Sequence, residues 1–410
     1  MRPASQGTGG WKPALVRLTL AEVLRAGLPT YARAHRLPAH HWKVLNAILA
    51  CRTGALGGHE YQCAHCQRAH FVPHSCGNRH CPTCQGINSQ AWLGAQAQVV
   101  LPIPYFHLVF TLPHQLNGLI QQNQRALYDL LFASAADTLL TFGRNNLGAQ
   151  LGLTAVLHTW SQTLFDHYHL HCIVTGGGLA VDGQRWVKSS GDYLFNVTAL
   201  SQVFQAKFCA GLQELYAHNR LAFHGQLAPL AAEPTFQALV RTATRQKWVV
   251  YSKRPFAGPE QVLAYLSRYT HRVGITNSRL LHLDRAASTV TFDYKDYAQG
   301  ARHKTMQLGL DEFIRRLRLH FLPPHFVKTR HYGLLANSGR KRRLEQARAL
   351  LGPPAMPLAT PTEPFQLSVK SKPAPPTLPI CPHCGHAALI LLRVSRPPWP
   401  SPAVAACDSS

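Results

Sequence analysis

Five of the chain's eleven cysteines fall between Cys63 and Cys84, a clustering that constrains the fold more than any other feature. Cys63-x2-Cys66 and Cys81-x2-Cys84 are CxxC pairs with fourteen residues between them. Each pair presents two thiolates from one tight turn. Together they complete a tetrahedral set for Zn²⁺ with no open position, so the expected site is structural rather than catalytic. His74, Cys76 and His80 are spare donors able to replace one of the four, and Cys51 reads as a buried thiol. A further pair, Cys381-Pro-His-Cys384-Gly, lacks a second half nearby; His386 and Cys407 are candidates to complete it. Cysteines grouped this way, behind an N-terminus with no apolar leader, indicate metal binding before disulfides and a cytoplasmic protein.

Beyond the cysteines, helices and strands are interspersed, giving an α+β class with a small helical, zinc-knuckle module in front. The spacing of Leu18, Leu20, Val23, Leu24 and Leu28 predicts helices over 15–50, broken at Pro38. Helices are also expected at 90–100, 115–147, 198–219, 259–273 and 310–320. Strands are expected at 105–112, 153–160, 168–175, 247–252, 279–283 and 289–294, with Gly176-Gly177-Gly178 as a stop. The chain divides into a zinc-knuckle module over 15–100, a mixed region over 101–350, a proline-rich linker over 351–380 and a tail over 381–410 whose CxxC could be a partial zinc knuckle. Nine prolines between 353 and 379 make that linker extended and semi-rigid.

Charge narrows the partner. Lys and Arg number 42 against 18 acidic residues, a net +24. An excess of this size favours a polyanion, because each cation meeting a phosphate releases condensed counterions. No apolar run approaches the roughly 18–20 residues of a membrane span, so no membrane partner is expected.

Two short stretches carry chemistry. In the strand His167-Tyr-His169-Leu-His171, alternation puts 167, 169 and 171 on one face. Two imidazoles there can chelate a divalent ion, and the third ligand could be His158 on the preceding strand, Gln162 or His167. In Tyr265-Leu-Ser-Arg268-Tyr269-Thr-His-Arg272, the tyrosines stand at i and i+4 of a helix, so both hydroxyls reach one place. Arg268 and Arg272 are positioned for flanking phosphates. The plain alternatives are a polar strand face and an aromatic packing pair.

In order and spacing these stretches resemble the two-tyrosine rolling-circle transposases of bacterial insertion sequences, within the HUH endonuclease superfamily, over roughly residues 15–350. The resemblance rests on Ser75-Cys76-x-Asn78-Arg79-His80-Cys81-Pro82-x-Cys84, His158-Thr-Trp-x-Gln162, His167-x-His169-x-His171-Cys172 and Gly176-Gly-Gly178-Leu179. It continues through Tyr265-Leu-x-Arg268-Tyr269-Thr-His271-Arg272-Val273, Phe313-Ile-Arg-Arg316 and Arg330-His331-Tyr332-Gly333. It implies a zinc-binding DNA-binding domain over 15–100 and a catalytic domain over 101–350 with a central antiparallel sheet flanked by helices, His169 and His171 as the metal pair, and Tyr265 and Tyr269 as paired nucleophiles. The gap from His158 to His169 is similar to the three-histidine arrangement of relaxases and favours His158 as third ligand. The activity implied is nicking of single-stranded DNA at element ends and transfer to target DNA, with Mg²⁺ or Mn²⁺, through 5′-phosphotyrosine links and without ATP. The protein would then sit on the nucleoid when bound to DNA. A replication initiator or relaxase shares that chemistry, although no Walker motif is present. A catalytically inactive zinc-dependent DNA-binding protein would share the modules but not the reaction.

Overall fold

The computed structural model describes residues 17–85, 99–189, 194–256, 261–262, 270, 272–352 and 379–396. The expected helices at 90–100 and 259–273, and the proline-rich stretch, lie wholly or largely outside these residues. Among them, no helix is long and apolar enough to cross a membrane.

The first helix, Leu20–Ala34, is started by Thr19, whose hydroxyl accepts from the Glu22 N–H while the Glu22 carboxylate accepts from the Thr19 N–H at 2.8 Å. This reciprocal cap satisfies two donors that a helix start leaves open. Its apolar stripe of Leu20, Val23, Leu24 and Leu28 is buried, as the periodicity requires. A second helix, Ala39–Ala50, begins directly after Pro38. The cysteine cluster then contains a hairpin that pattern reading did not assign, β1 (Gly58–Cys63) and β2 (Ala69–Pro73), paired from Gly58↔Pro73 to Gln62↔Ala69.

The larger sheet is antiparallel throughout its pairings. It comprises β3 (Tyr105–Thr111), β4 (Ala149–Trp160), β5 (Asp166–Ala180), β6 (Trp186–Lys188), β7 (Val249–Phe256) and, later in the chain, a strand at Thr329–Gly333. That last strand lies outside β4, and the order continues through β5 and β3 to β7. One face is apolar: Phe106, Leu108 and Phe110 of β3, Leu153, Ala155 and Leu157 of β4, and Tyr168, Leu170 and Cys172 of β5 are buried in one core. The helices Gln124–Leu147, Val197–Ala217 and Glu233–Arg245 supply the other side of that core. The glycine run does not stop β5, which continues to Ala180. A Cβ on Gly176 would lie 2.7 Å from the Pro104 carbonyl oxygen and one on Gly178 2.3 Å from that of Gln150. These glycines let neighbouring backbones approach, a role of strand glycine distinct from punctuation.

A second sheet is formed by β8 (Leu280–Asp284), β9 (Thr289–Asp296) and β10 (Arg302–Gly309), followed by the helix Leu310–Leu319. Its buried Val290, Phe292, Phe313 and Ile314 share a core with Leu24, Leu45, Cys81 and Cys84. The N-terminal helices are therefore packed against residues some 270 positions later. With β11 as the strand Thr329–Gly333, the chain ends its described part in β12 (Leu389–Ser395). This strand pairs antiparallel with β1, so the small sheet runs β12-β1-β2.

Candidate functional site

The two faces of the large sheet differ by the strand alternation alone. Opposite the apolar core, His158 on β4 sits directly across from His169 on β5. His171 follows two residues on, on the same face, and opposes Val109 on β3. The ring nitrogens of His158, His169 and His171 that could bind an ion all lie within 4.8 Å of one another. They line a cleft of about 600 Å³, together with Gln162, His167, His107, Tyr251, Lys253, Arg272 and the β9 end from Tyr294 to Tyr297.

The surroundings leave these rings ready to ligate. Burial pushes His169 down to about 3 and His171 further below the usual imidazole range, so both stay neutral. His169 Nδ1 lies 2.8 Å from the His167 carbonyl oxygen. A carbonyl can only accept, so Nδ1 carries the proton and Nε2 keeps its lone pair. His171 Nδ1 lies 2.9 Å from His107 Nε2, which likewise turns the His171 Nε2 outward. Fixing the far nitrogen in this way sets ring orientation and tautomer at metal sites. Three imidazoles beside an open cleft fit a divalent ion that retains free positions for substrate. Sequence reasoning passed over His107, a lone histidine within the apolar run YFHLVF; only the register of β3 on β5 reveals its partner.

The cleft is also cationic. Lys253, Lys295 and Arg272 line it, and the Asp296 carboxylate beside them is 2.8 Å from Lys304 Nζ. Such a lining draws anions, phosphates among them. Tyr265, Arg268 and Tyr269 lie outside the described residues. Arg272, three positions after Tyr269, is at the cleft, with its carbonyl accepting from Lys328 Nζ at 3.5 Å. Of the alternative third ligands, Gln162 lines the cleft, its backbone carbonyl accepting from Arg279, and the His167 ring is 4.7 Å from that of His169.

The four thiols Cys63, Cys66, Cys81 and Cys84 do not form one set. Cys81 and Cys84 join Cys51 and Cys76, whereas Cys63 and Cys66 join Cys381 and Cys384. The reason lies in the hairpin between the pairs. Six residues of β1 at about 3.3 Å each carry the chain some 17–20 Å from its base to its tip. Cys51 and Cys76 flank the base and Cys63 and Cys66 stand at the tip, so sequence spacing suited to a compact ribbon brings the wrong pairs together. Cys51 is thus a member of a thiol cluster, with its Sγ 3.6 Å from that of Cys84, as is Cys76 Sγ. The tail pair is completed by Cys63 and Cys66 rather than by His386, whose Nδ1 is 3.1 Å from the Cys384 carbonyl oxygen. Cys407 lies outside the described residues.

Residues 152–343 match the family Y2_Tnp, described as "Putative transposase", and residues 23–112 match Zn_Tnp_IS91, described as "Transposase zinc-binding domain". The chain is 41% identical over 336 residues to "Putative transposase y4qJ" of Sinorhizobium fredii (strain NBRC 101917 / NGR234), covering 81% of this chain and 84% of that protein. It is 30% identical over 310 residues to the "Transposase for insertion sequence element IS801" of Pseudomonas savastanoi pv. phaseolicola, covering 72% and 70%. Two structures of the conjugative relaxase TrwC in complex with oriT DNA are 20% and 16% identical. They cover 27% and 41% of this chain and 44% and 71% of theirs, with TM-scores of 0.22 and 0.23, an overlap too slight to carry an inference.

Proposed function

Because the chain belongs to the insertion-sequence transposase family defined by these two domains, we propose that it nicks single-stranded DNA at element ends and transfers it to target DNA. The observation that carries this reading is the convergence of His158, His169 and His171 on the floor of a cationic cleft. Tyr265 and Tyr269 are the nucleophiles in this reading, and Arg272 at the cleft supports it by bringing the end of their segment to the histidines.

A tyrosine oxygen attacks the scissile phosphorus. As the new O–P bond forms, the P–O3′ bond breaks; the phenolic proton goes to solvent and the departing 3′-oxygen takes one up. The 5′-phosphotyrosine conserves the bond energy, and a later 3′-hydroxyl reverses the exchange without ATP. His158, His169 and His171 would hold a divalent ion, which would supply charge neutralisation for the scissile phosphate when bound. Lys253, Arg268 and Arg272 hold the flanking phosphates, while the His167 carbonyl and His107 keep the ligating rings aimed. Nitrogen donors suit Mn²⁺ better than Mg²⁺, which prefers oxygen. Cys51, Cys76, Cys81 and Cys84 hold a structural Zn²⁺ that fixes the end of helix Ala39–Ala50 to the shared core. In this reading the protein acts on chromosomal DNA in the cytoplasm, on the nucleoid.

The test is direct. With Mn²⁺, the purified protein should nick an oligonucleotide carrying the element end and leave a covalent adduct that survives denaturation. Tyr265→Phe with Tyr269→Phe should bind the same DNA and form no adduct. Absence of any adduct from the unaltered protein would leave a DNA-binding role only.

A further inference from the structure

We infer that Cys63, Cys66, Cys381 and Cys384 bind a second structural zinc ion, which clasps the tail segment 379–396 to the tip of the N-terminal hairpin. The four sulfurs come from two CxxC turns that are 315 positions apart in the chain. Cys63 Sγ is 3.6 Å from Cys384 Sγ, and Cys66 Sγ is 3.8 Å from Cys381 Sγ. A tetrahedron with Zn–S bonds of about 2.3 Å has edges of about 3.8 Å. Disulfide sulfurs lie at about 2.05 Å, so these pairs have the separation of co-ligands rather than of bonded partners.

The turns are shaped for the task. The Cys66 N–H points to Cys63 Sγ at 3.5 Å, and the Cys381 carbonyl accepts from the Gly385 N–H at 2.9 Å, closing the second turn. Cys63 and Cys381 are 0% and 1% exposed, at the centre of the cluster. The two knuckles are joined by the Ala64 N–H donating to the Ala388 carbonyl at 2.8 Å, and the His65 and His386 rings stack at 3.8 Å.

Packing alone does not account for the tail's place. The apolar cluster there has three buried members, Cys63, Cys381 and Leu389, and two of those are thiols. β12 exposes Ile390, Leu391, Leu392 and Val394 to solvent. A strand that buries so little apolar surface gains little from the hydrophobic effect, whereas four thiolates on one ion contribute folding free energy outright. The matched domains span 23–112 and 152–343, so they contain only the hairpin half of this site.

Zinc counting on the full chain tests the clasp. Zinc released on denaturation, measured by plasma mass spectrometry, should fall by one per chain in Cys381→Ser with Cys384→Ser. An unchanged count would overturn the clasp. Because the readout is a difference, failure of the Cys51 cluster to bind zinc would lower both counts and stay distinguishable. A second measurement covers a variant that does not fold. With a protease site inserted between residues 353 and 378, the cut tail should co-elute with the body and the zinc count should not change. A tail that separates on cutting while the body keeps all its zinc would overturn the proposal.

Discussion

His107 Nε2 and His171 Nδ1 lie 2.9 Å apart, joining two strands of the large sheet through the back of a ligating ring. Losing such a partner typically costs 10–100-fold in metal affinity. His107→Ala should therefore raise the Mn²⁺ concentration for half-maximal nicking by roughly that factor, with the rate recovered at saturating Mn²⁺. His107→Gln, whose carbonyl can still accept from His171, should sit closer to the unaltered protein. A folded His107→Ala protein whose rate no amount of Mn²⁺ restores would show that the ring does more than aim His171.

Arg272 should read as a phosphate contact. Its replacement by Ala should weaken single-strand binding by a similar factor for every sequence. The slope of log affinity against log salt should become shallower by about 0.7 for one lost contact. An unchanged slope, measured by fluorescence anisotropy across a salt series, would take Arg272 away from the DNA.

Acid should loosen the molecule through His320. Its Nε2–H donates to the Leu164 carbonyl at 3.0 Å, and its Nδ1 is 3.2 Å from the Thr159 hydroxyl. Burial pushes it down to about 4 from 6.5. Between those two pH values the unfolded chain takes up a proton that the folded chain refuses, so the contribution is complete above about 6.5 and is lost as pH falls towards 4. A shift of this size is worth about 3 kcal/mol. Urea unfolding at stepped pH should show that decline, and His320→Gln should flatten it by about one proton.

Cys51→Ser separates a ligand from a buried thiol. As a member of the Cys76, Cys81 and Cys84 cluster, its loss should lower zinc content by one per chain and shift thermal unfolding downward. If only packing is lost, the zinc count stays where it was.

The hairpin that builds the histidine site was legible because strand alternation and one short loop determine it. Tyr168, Leu170 and Cys172 had to face a core, which sent His169 and His171 the other way and left His158 opposite. The cysteine pairing was not legible, because local spacing says nothing of a hairpin that carries two knuckles apart. Nor does it say that a partner waits 315 positions on. His107 was hidden for a related reason: a single imidazole in an apolar strand acquires meaning only from register. The Gly176–Gly178 run reads locally as a break, and only the approach of the Pro104 and Gln150 carbonyls explains why a strand needs it.

The position of β1 between β2 and β12 has a consequence for synthesis. β1 and β2 are neighbours in the chain, whereas the other edge of β1 receives its partner only when residues 389–395 arrive. At 5–20 residues per second, the 315 residues from Cys66 to Cys381 take roughly 15 to 60 s to make. Throughout that interval a nascent chain carries an open strand edge, a template for unwanted pairing. A chain that ends before residue 389 lacks the strand covering this edge of β1 and leaves its N-terminal sheet open.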